Sequence, residues 1–185
     1  MVPLSSLWLP ILLSAVLVFV ASSIVHMVLG LHRSDYGKLA NEDAVLEALR
    51  GAGVAPGTYT FPCAANPKDM STPEMLEKYK KGPVGILNVI PSGPPAMPKL
   101  LGQWFAFSVL VGVFAAYLAG RALGPGAHYL AVFRVVGTVA FLAYLSTHAT
   151  DPIWKGERWG IALKHAADGF VYALLTAGVF GWLWP

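Results

Sequence analysis

At 185 residues the chain is long enough for one ordinary domain, but it is 56% hydrophobic and only 12% charged, where a soluble surface of that size needs about a quarter of its residues charged. The formal charge of +3 does not mark a nucleic-acid binder, because the basic residues never form a dense patch: Lys78, Lys80 and Lys81 stand beside Glu74 and Glu77 and read as a solvated helix face. Cys63 is the only cysteine, which excludes an intrachain disulfide and a four-thiolate metal site.

Charge is unevenly placed. Of the 23 Asp, Glu, Lys and Arg residues, 15 lie between Arg33 and Lys99, leaving long apolar intervals on both sides. The first runs from Leu4 to Leu31 with His26 as its only titratable residue. No Lys or Arg precedes it and its core is too long for a cleaved signal, so an uncleaved anchor is expected. About 20 helical residues cross the hydrocarbon, which predicts a first span over residues 8–29 with Trp8 at an interface.

The polar insertion, residues 31–99, follows. Asn41 is placed to cap a helix reaching Arg50, with Val45, Leu46 and Leu49 on one side and Gly51 and Gly53 ending it. Thr58 to Phe61 reads as a short strand. Ser71 and Glu74 predict a capping box for a second helix continuing to Lys81, and Val84 to Ile90 reads as a second strand. The insertion therefore reads helix, strand, helix, strand, with the strands paired as a ribbon. Asp35, Glu42 and Asp43 are expected simply to solubilise its start. The Pro-rich stretch from Pro91 to Pro98 reads as an extended connector.

Three further spans are predicted over residues 100–120, 128–148 and 161–183. The first of these carries Gly112, Ala116, Gly120 and then Gly124 at four-residue intervals, a spacing that lets helices approach closely in lipid. The connections at Gly124-Pro125-Gly126 and around Asp151-Pro152 and Gly156 are short, as antiparallel neighbours require. The fold class is thus all-α transmembrane: a single membrane domain over 1–185, built as a four-helix membrane bundle with a small α/β extramembrane insertion between helices 1 and 2. Arg33, Lys38, Lys99, Lys155, Arg158 and Lys164 lie on one side and only Arg121 in a loop on the other. That bias predicts a multi-pass protein of the cell inner membrane, with both termini outside and residues 31–99 cytoplasmic.

The candidate chemistry is positional. His26, His32, His148, Asp151, His165 and Asp168 all map toward one membrane side, and polar groups in hydrocarbon face a bundle interior or water. His26, His148 and His165 are candidate ligands for a transition metal, with Asp168 as a further ligand or as acceptor for an imidazole N–H. Two of the same histidines are candidate axial ligands of a haem. Lys164, His165 and Asp168 form either a proton relay or a structural ion pair, with Lys164 and Asp168 four residues apart. Arg134, inside the third span, is a candidate lipid or anion contact that snorkels to its interface; 14 residues, about 21 Å of helix, separate it from His148.

No nucleophile elbow or phosphate loop is present, and Gly51-Ala52-Gly53 lacks the lysine that a phosphate loop requires. Catalysis is accordingly not the leading expectation. The leading one is an accessory or assembly subunit acting with a membrane-protein partner or as a homo-oligomer in the lipid bilayer. Its alternatives are a haem or metal-binding electron-transfer protein and a small proton-coupled transporter component.

Overall fold

The computed structural model describes residues 1–185, which divide into two compact units: residues 1–36 with 96–185, and residues 37–95. The larger unit holds four long helices. A 3₁₀ turn at Leu4–Leu7 leads into α1 (Trp8–Ser23), which closes in a π-helical turn at Ile24–Val28. In the smaller unit, α2 (Glu42–Gly51), β1 (Gly57–Phe61), α3 (Pro73–Lys81) and β2 (Gly85–Val89) follow in order. The chain then returns to the larger unit with α4 (Met97–Ala122), α5 (Tyr129–Ser146), a single turn α6 (Asp151–Trp154) and α7 (Trp159–Trp182).

Three stretches, Leu4–Val28, Met97–Ala122 and Tyr129–Trp154, are long and apolar enough to cross a membrane, and they mark the chain as a membrane protein. α7 has the length for a span but is not among those apolar enough, because Lys164, His165 and Asp168 fall in its first half. In contact terms, α5 packs along α7, α1 lies against both α4 and α7, and α4 against α5. Large apolar side chains such as Leu12, Val16, Leu110, Phe114 and Leu142 point outward from α1, α4 and α5, the arrangement that suits a lipid solvent rather than water.

The small-residue row on α4 explains how α1 seats. A β-carbon on Gly112 would lie 3.3 Å from Ile11 Cγ2 and 3.5 Å from the Ile11 Cα. One on Gly120 would lie 2.6 Å from the Val2 carbonyl oxygen, and the Val2 N–H donates to the Gly120 carbonyl at 2.8 Å. Gly112 and Gly120 therefore touch the N-terminal segment and Ala116 is buried in the same apolar cluster, whereas a β-carbon on Gly124 would meet nothing within 4 Å.

The smaller unit has the predicted helix, strand, helix, strand order, with β1 and β2 antiparallel and Tyr59 opposite Leu87. Two local expectations fail. Asn41 stands at the N-cap of α2, but its side chain makes no capping hydrogen bond. Thr72, not Ser71, caps α3: its Oγ1 accepts from the Met75 N–H at 3.4 Å. Pro73 sets the helix start one residue later, since its fixed φ suits the first helical position. Ser71 instead donates to the Lys68 carbonyl in the preceding 3₁₀ turn, where Asn66 and Asp69 form the capping box.

Candidate metal centre

The centre is assembled where α1 ends and α7 begins. In the closing turn of the first helix the Leu29 N–H bonds to the Ile24 carbonyl at 2.9 Å, the wider i to i+5 pattern that recurs at functional sites. His26 lies in that turn, its Nδ1 3.2 Å from the Ser22 carbonyl oxygen. Gly30 then takes a φ of 62°, a left-handed conformation that glycine adopts without penalty. The chain turns there and brings His32 back beside His26, with ring centroids 4.3 Å apart and planes 12° from parallel.

Two cations of the α6–α7 region hold that turn in place. Lys164 Nζ donates to the Leu31 carbonyl at 3.0 Å, to Ser34 Oγ at 2.9 Å and to Asp35 Oδ1 at 2.6 Å. Arg158 Nη2 donates to the Ser34 carbonyl at 2.9 Å and to that of Asp35 at 3.4 Å. Burial pushes the Asp35 carboxyl upward, but the hydrogen bonds and charges of Lys164 and His32 together outweigh it and hold the group below its ordinary value.

His32 sits between two carboxylates. Its Nδ1 is 2.6 Å from Asp35 Oδ2 and its Nε2 is 2.8 Å from Asp168 Oδ2. The Asp35 side chain is only 4% exposed and that of His32 only 11%, so solvent screens these contacts weakly. A doubly protonated ring satisfies both contacts; a neutral ring satisfies one as donor and leaves the other nitrogen as a lone pair facing a carboxylate. The second arrangement is the one a cation completes.

The imidazoles continue as a stack. His165 lies 4.8 Å from His32 at 25°, and His148 lies 3.9 Å from His165 at 10°. One donor atom from each of His26, His32, His165 and Asp168 falls within 4.8 Å of every other. Three imidazoles and a carboxylate make a set suited to a borderline divalent transition metal.

Of the residues expected from sequence, His26, His165 and Asp168 meet here. His148 comes into the stack, but its donor atoms are outside the convergent set; its Nδ1 is 3.9 Å from Asp151 Oδ2, and Asp151 pairs with Lys155 at 2.7 Å. Lys164 does not pair with Asp168. It reaches Asp35 instead, because the turn after Gly30 presents that carboxylate to it while Asp168 faces His32. Arg134 is exposed on α5 and takes no part. The fifth histidine, His128, caps α5 by accepting from the Leu130 N–H at 3.2 Å.

Haem does not fit this geometry. Axial imidazoles aim their nitrogens at one iron from opposite faces of a macrocycle, whereas these rings lie face to face at 3.9–4.8 Å with no slot between them. Sequence reasoning missed the two residues that organise the centre. The sequence groups His32 with the other histidines but gives it no ligand role, and it presents Asp35 only as a solubilising charge. The available signal was His32-x-x-Asp35 directly after a helix-ending glycine, within reach of a lysine and an aspartate four apart on a later helix.

A cavity of about 360 Å³ adjoins the stack. Its lining includes His26, His148, His165 and Asp168, and Leu100, Leu101 and Trp104 of α4. No known protein family, curated protein or solved structure matches the chain.

Proposed function

We propose that this chain is a four-helix membrane bundle that binds one divalent transition metal ion through His26, His32, His165 and Asp168. The observation that carries the reading is the convergence of four donor atoms, from two distant parts of the chain, within 4.8 Å. In this arrangement His32 binds through Nε2 and donates its Nδ1 hydrogen to Asp35, the carboxylate–histidine unit that fixes the tautomer of many metal-bound imidazoles. Bonds of about 2.1 Å in a tetrahedron put ligand atoms roughly 3.4 Å apart, so on binding a pair at the 4.8 Å limit closes by about 1.4 Å and the His32–Asp168 pair, now at 2.8 Å, opens by about 0.6 Å. Four protein ligands fill the coordination of a zinc-like ion, and filled sites serve structure. The accessory or assembly role expected from sequence accommodates such an ion.

The same residues support α7 as the fourth span. Lys164 and Asp168 are engaged with the turn after α1, so its polar face is spent on partners, while Leu163, Phe170, Val171 and Leu174 are exposed. Polar side chains that are paired inside a bundle are compatible with a spanning helix. Four spans would put both termini on one side, and the loop charges favour a cytoplasmic placement of the opposite side, with residues 31–99, in an inner membrane.

The test is metal content of the purified full-length chain after exposure to zinc and removal of loose ions. About one ion per chain is expected, with loss in the Asp168→Asn variant. A folded wild-type chain that retains no stoichiometric ion, across zinc and the other first-row divalent metals, would overturn the reading.

A further inference from the structure

Beside the histidine end one buried polar group has no partner. Tyr172 is 4% exposed, and its hydroxyl oxygen is closed to solvent and makes no hydrogen bond. Its ring is held by neighbours, standing edge-on to Tyr144 at 5.5 Å and to Trp104 at 6.0 Å between centroids. The hydroxyl therefore does not reach water, and only a group of the protein itself can satisfy it. A buried donor left without an acceptor is costly.

Asp168 is the acceptor that the helix supplies. It precedes Tyr172 by four residues on α7, which puts the two on one face, and long side chains on a helix lean back over the turn N-terminal to them. It is also the one carboxylate whose charge acts on that hydroxyl. Asp168 Oδ2 faces His32 Nε2 at 2.8 Å, and its other oxygen makes no hydrogen bond. An ion bound by both groups forces them apart, so the carboxylate must move, and metal-bound carboxylates are themselves held by hydrogen bonds. The other donors around it are committed. Lys164 is engaged with Asp35, Ser34 and the Leu31 carbonyl, Trp104 Nε1 with Ser22 Oγ, and the Ser22 and Ser23 hydroxyls with the Phe19 carbonyl. Tyr172 is the donor left over.

We propose that Tyr172 is a positioning residue of the metal site: when the ion binds, its hydroxyl donates to the Asp168 oxygen that is not on the metal and fixes the carboxylate in its ligating orientation. The inference rests on the ion-binding reading. Both are tested by titrating zinc into the full-length wild-type, Tyr172→Phe and Tyr144→Phe chains in competition with a chromophoric chelator, together with thermal unfolding of the same chains without metal. Wild type takes up about one ion, and Tyr172→Phe weakens its affinity about tenfold, the lower end of the range for outer-shell partners. Unfolding without metal is unchanged or moves to higher temperature in Tyr172→Phe, because the deleted hydroxyl has no partner. A tyrosine that served packing alone would give the reverse pattern, lower stability without metal and unaltered affinity, and that result would overturn the proposal. Tyr144→Phe, whose ring packs on the same neighbours, keeps wild-type affinity. Zinc also shifts the tyrosine ultraviolet band of wild type but not of Tyr172→Phe, since the phenol then donates to a carboxylate. If wild type binds its ion and Tyr172→Phe binds it equally well, or Tyr144→Phe loses as much, the positioning role fails and the metal site stands. A folded wild-type chain that binds no ion overturns both.

Discussion

The two ends of the helical unit are built on opposite principles. At the end near the termini, Leu7, Ala115, Ala119, Val132, Val136, Ala177 and Phe180 are fully buried together, and small residues let the backbones meet. Backbone and indole donors close that end: Gly126 N–H bonds to the Pro185 carbonyl at 2.7 Å and Trp184 Nε1 to the Gly124 carbonyl at 3.0 Å. At the other end, Val18, Val111, Ala140, Tyr144 and Tyr172 form a second buried group, but it gives way to a cavity, four stacked imidazoles and three engaged carboxylates. The first end is specified by volume, so any side chain that fits serves. The second is specified by donor identity and geometry, where a change of one atom type removes the partner of another group. That contrast predicts which substitutions act on binding and which act on folding.

The largest expected effect is at the polar end. His32→Ala removes the ring that meets both Asp35 and Asp168, and metal affinity should fall by more than about 100-fold, beyond the 10–100-fold typical of outer-shell changes. Helical content should persist, because the buried apolar group at the opposite end is untouched. Asp35→Asn should come next, at about 10–100-fold in metal affinity, since the amide no longer holds the Nδ1 hydrogen as a carboxylate does and leaves Lys164 without its ionic partner. Competition with a chromophoric chelator measures both. Equal affinity of Asp35→Asn and wild type would show that the 2.6 Å contact with His32 does not tune the ligand.

These residues also show where the sequence was legible. Three of the expected spans followed from length and hydropathy, which are averages over about 20 residues and tolerate error at any one position. The strands 57–61 and 85–89 followed from local alternation and turn chemistry. The grouping of His26, His165 and Asp168 followed from counting helix ends, because an antiparallel path returns alternate ends to one side. The partners did not follow. Whether Lys164 meets Asp168 on its own helix or Asp35 on a distant turn depends on the path after Gly30, and periodicity carries no information about a turn that reverses the chain. α7 shows the same limit: Lys164, His165 and Asp168 lower its hydropathy, and an averaged scale carries no information that Lys164 and Asp168 have partners.

The smallest expected effect sharpens the contrast at the apolar end, and it uses two glycines from one four-residue repeat. Gly120→Ala places a methyl carbon 2.6 Å from the Val2 carbonyl oxygen. That obstacle is backbone, which cannot rotate aside, so the N-terminal segment must shift and lose the Val2 to Gly120 hydrogen bond. A cost of about 1–3 kcal/mol follows, the range for inserting a carbon into a packed site. Gly124→Ala meets nothing within 4 Å and its stability should stay within about 0.5 kcal/mol of wild type, as for other substitutions without a contact. Both variants should keep wild-type metal affinity, because neither touches the histidine end. Unfolding in detergent followed by far-ultraviolet dichroism separates the pair. Equal stabilities would mean that the approach of α1 to α4 is set by the lipid rather than by the glycine row, and a fall in metal affinity on Gly120→Ala would show that the two ends are mechanically coupled through α1.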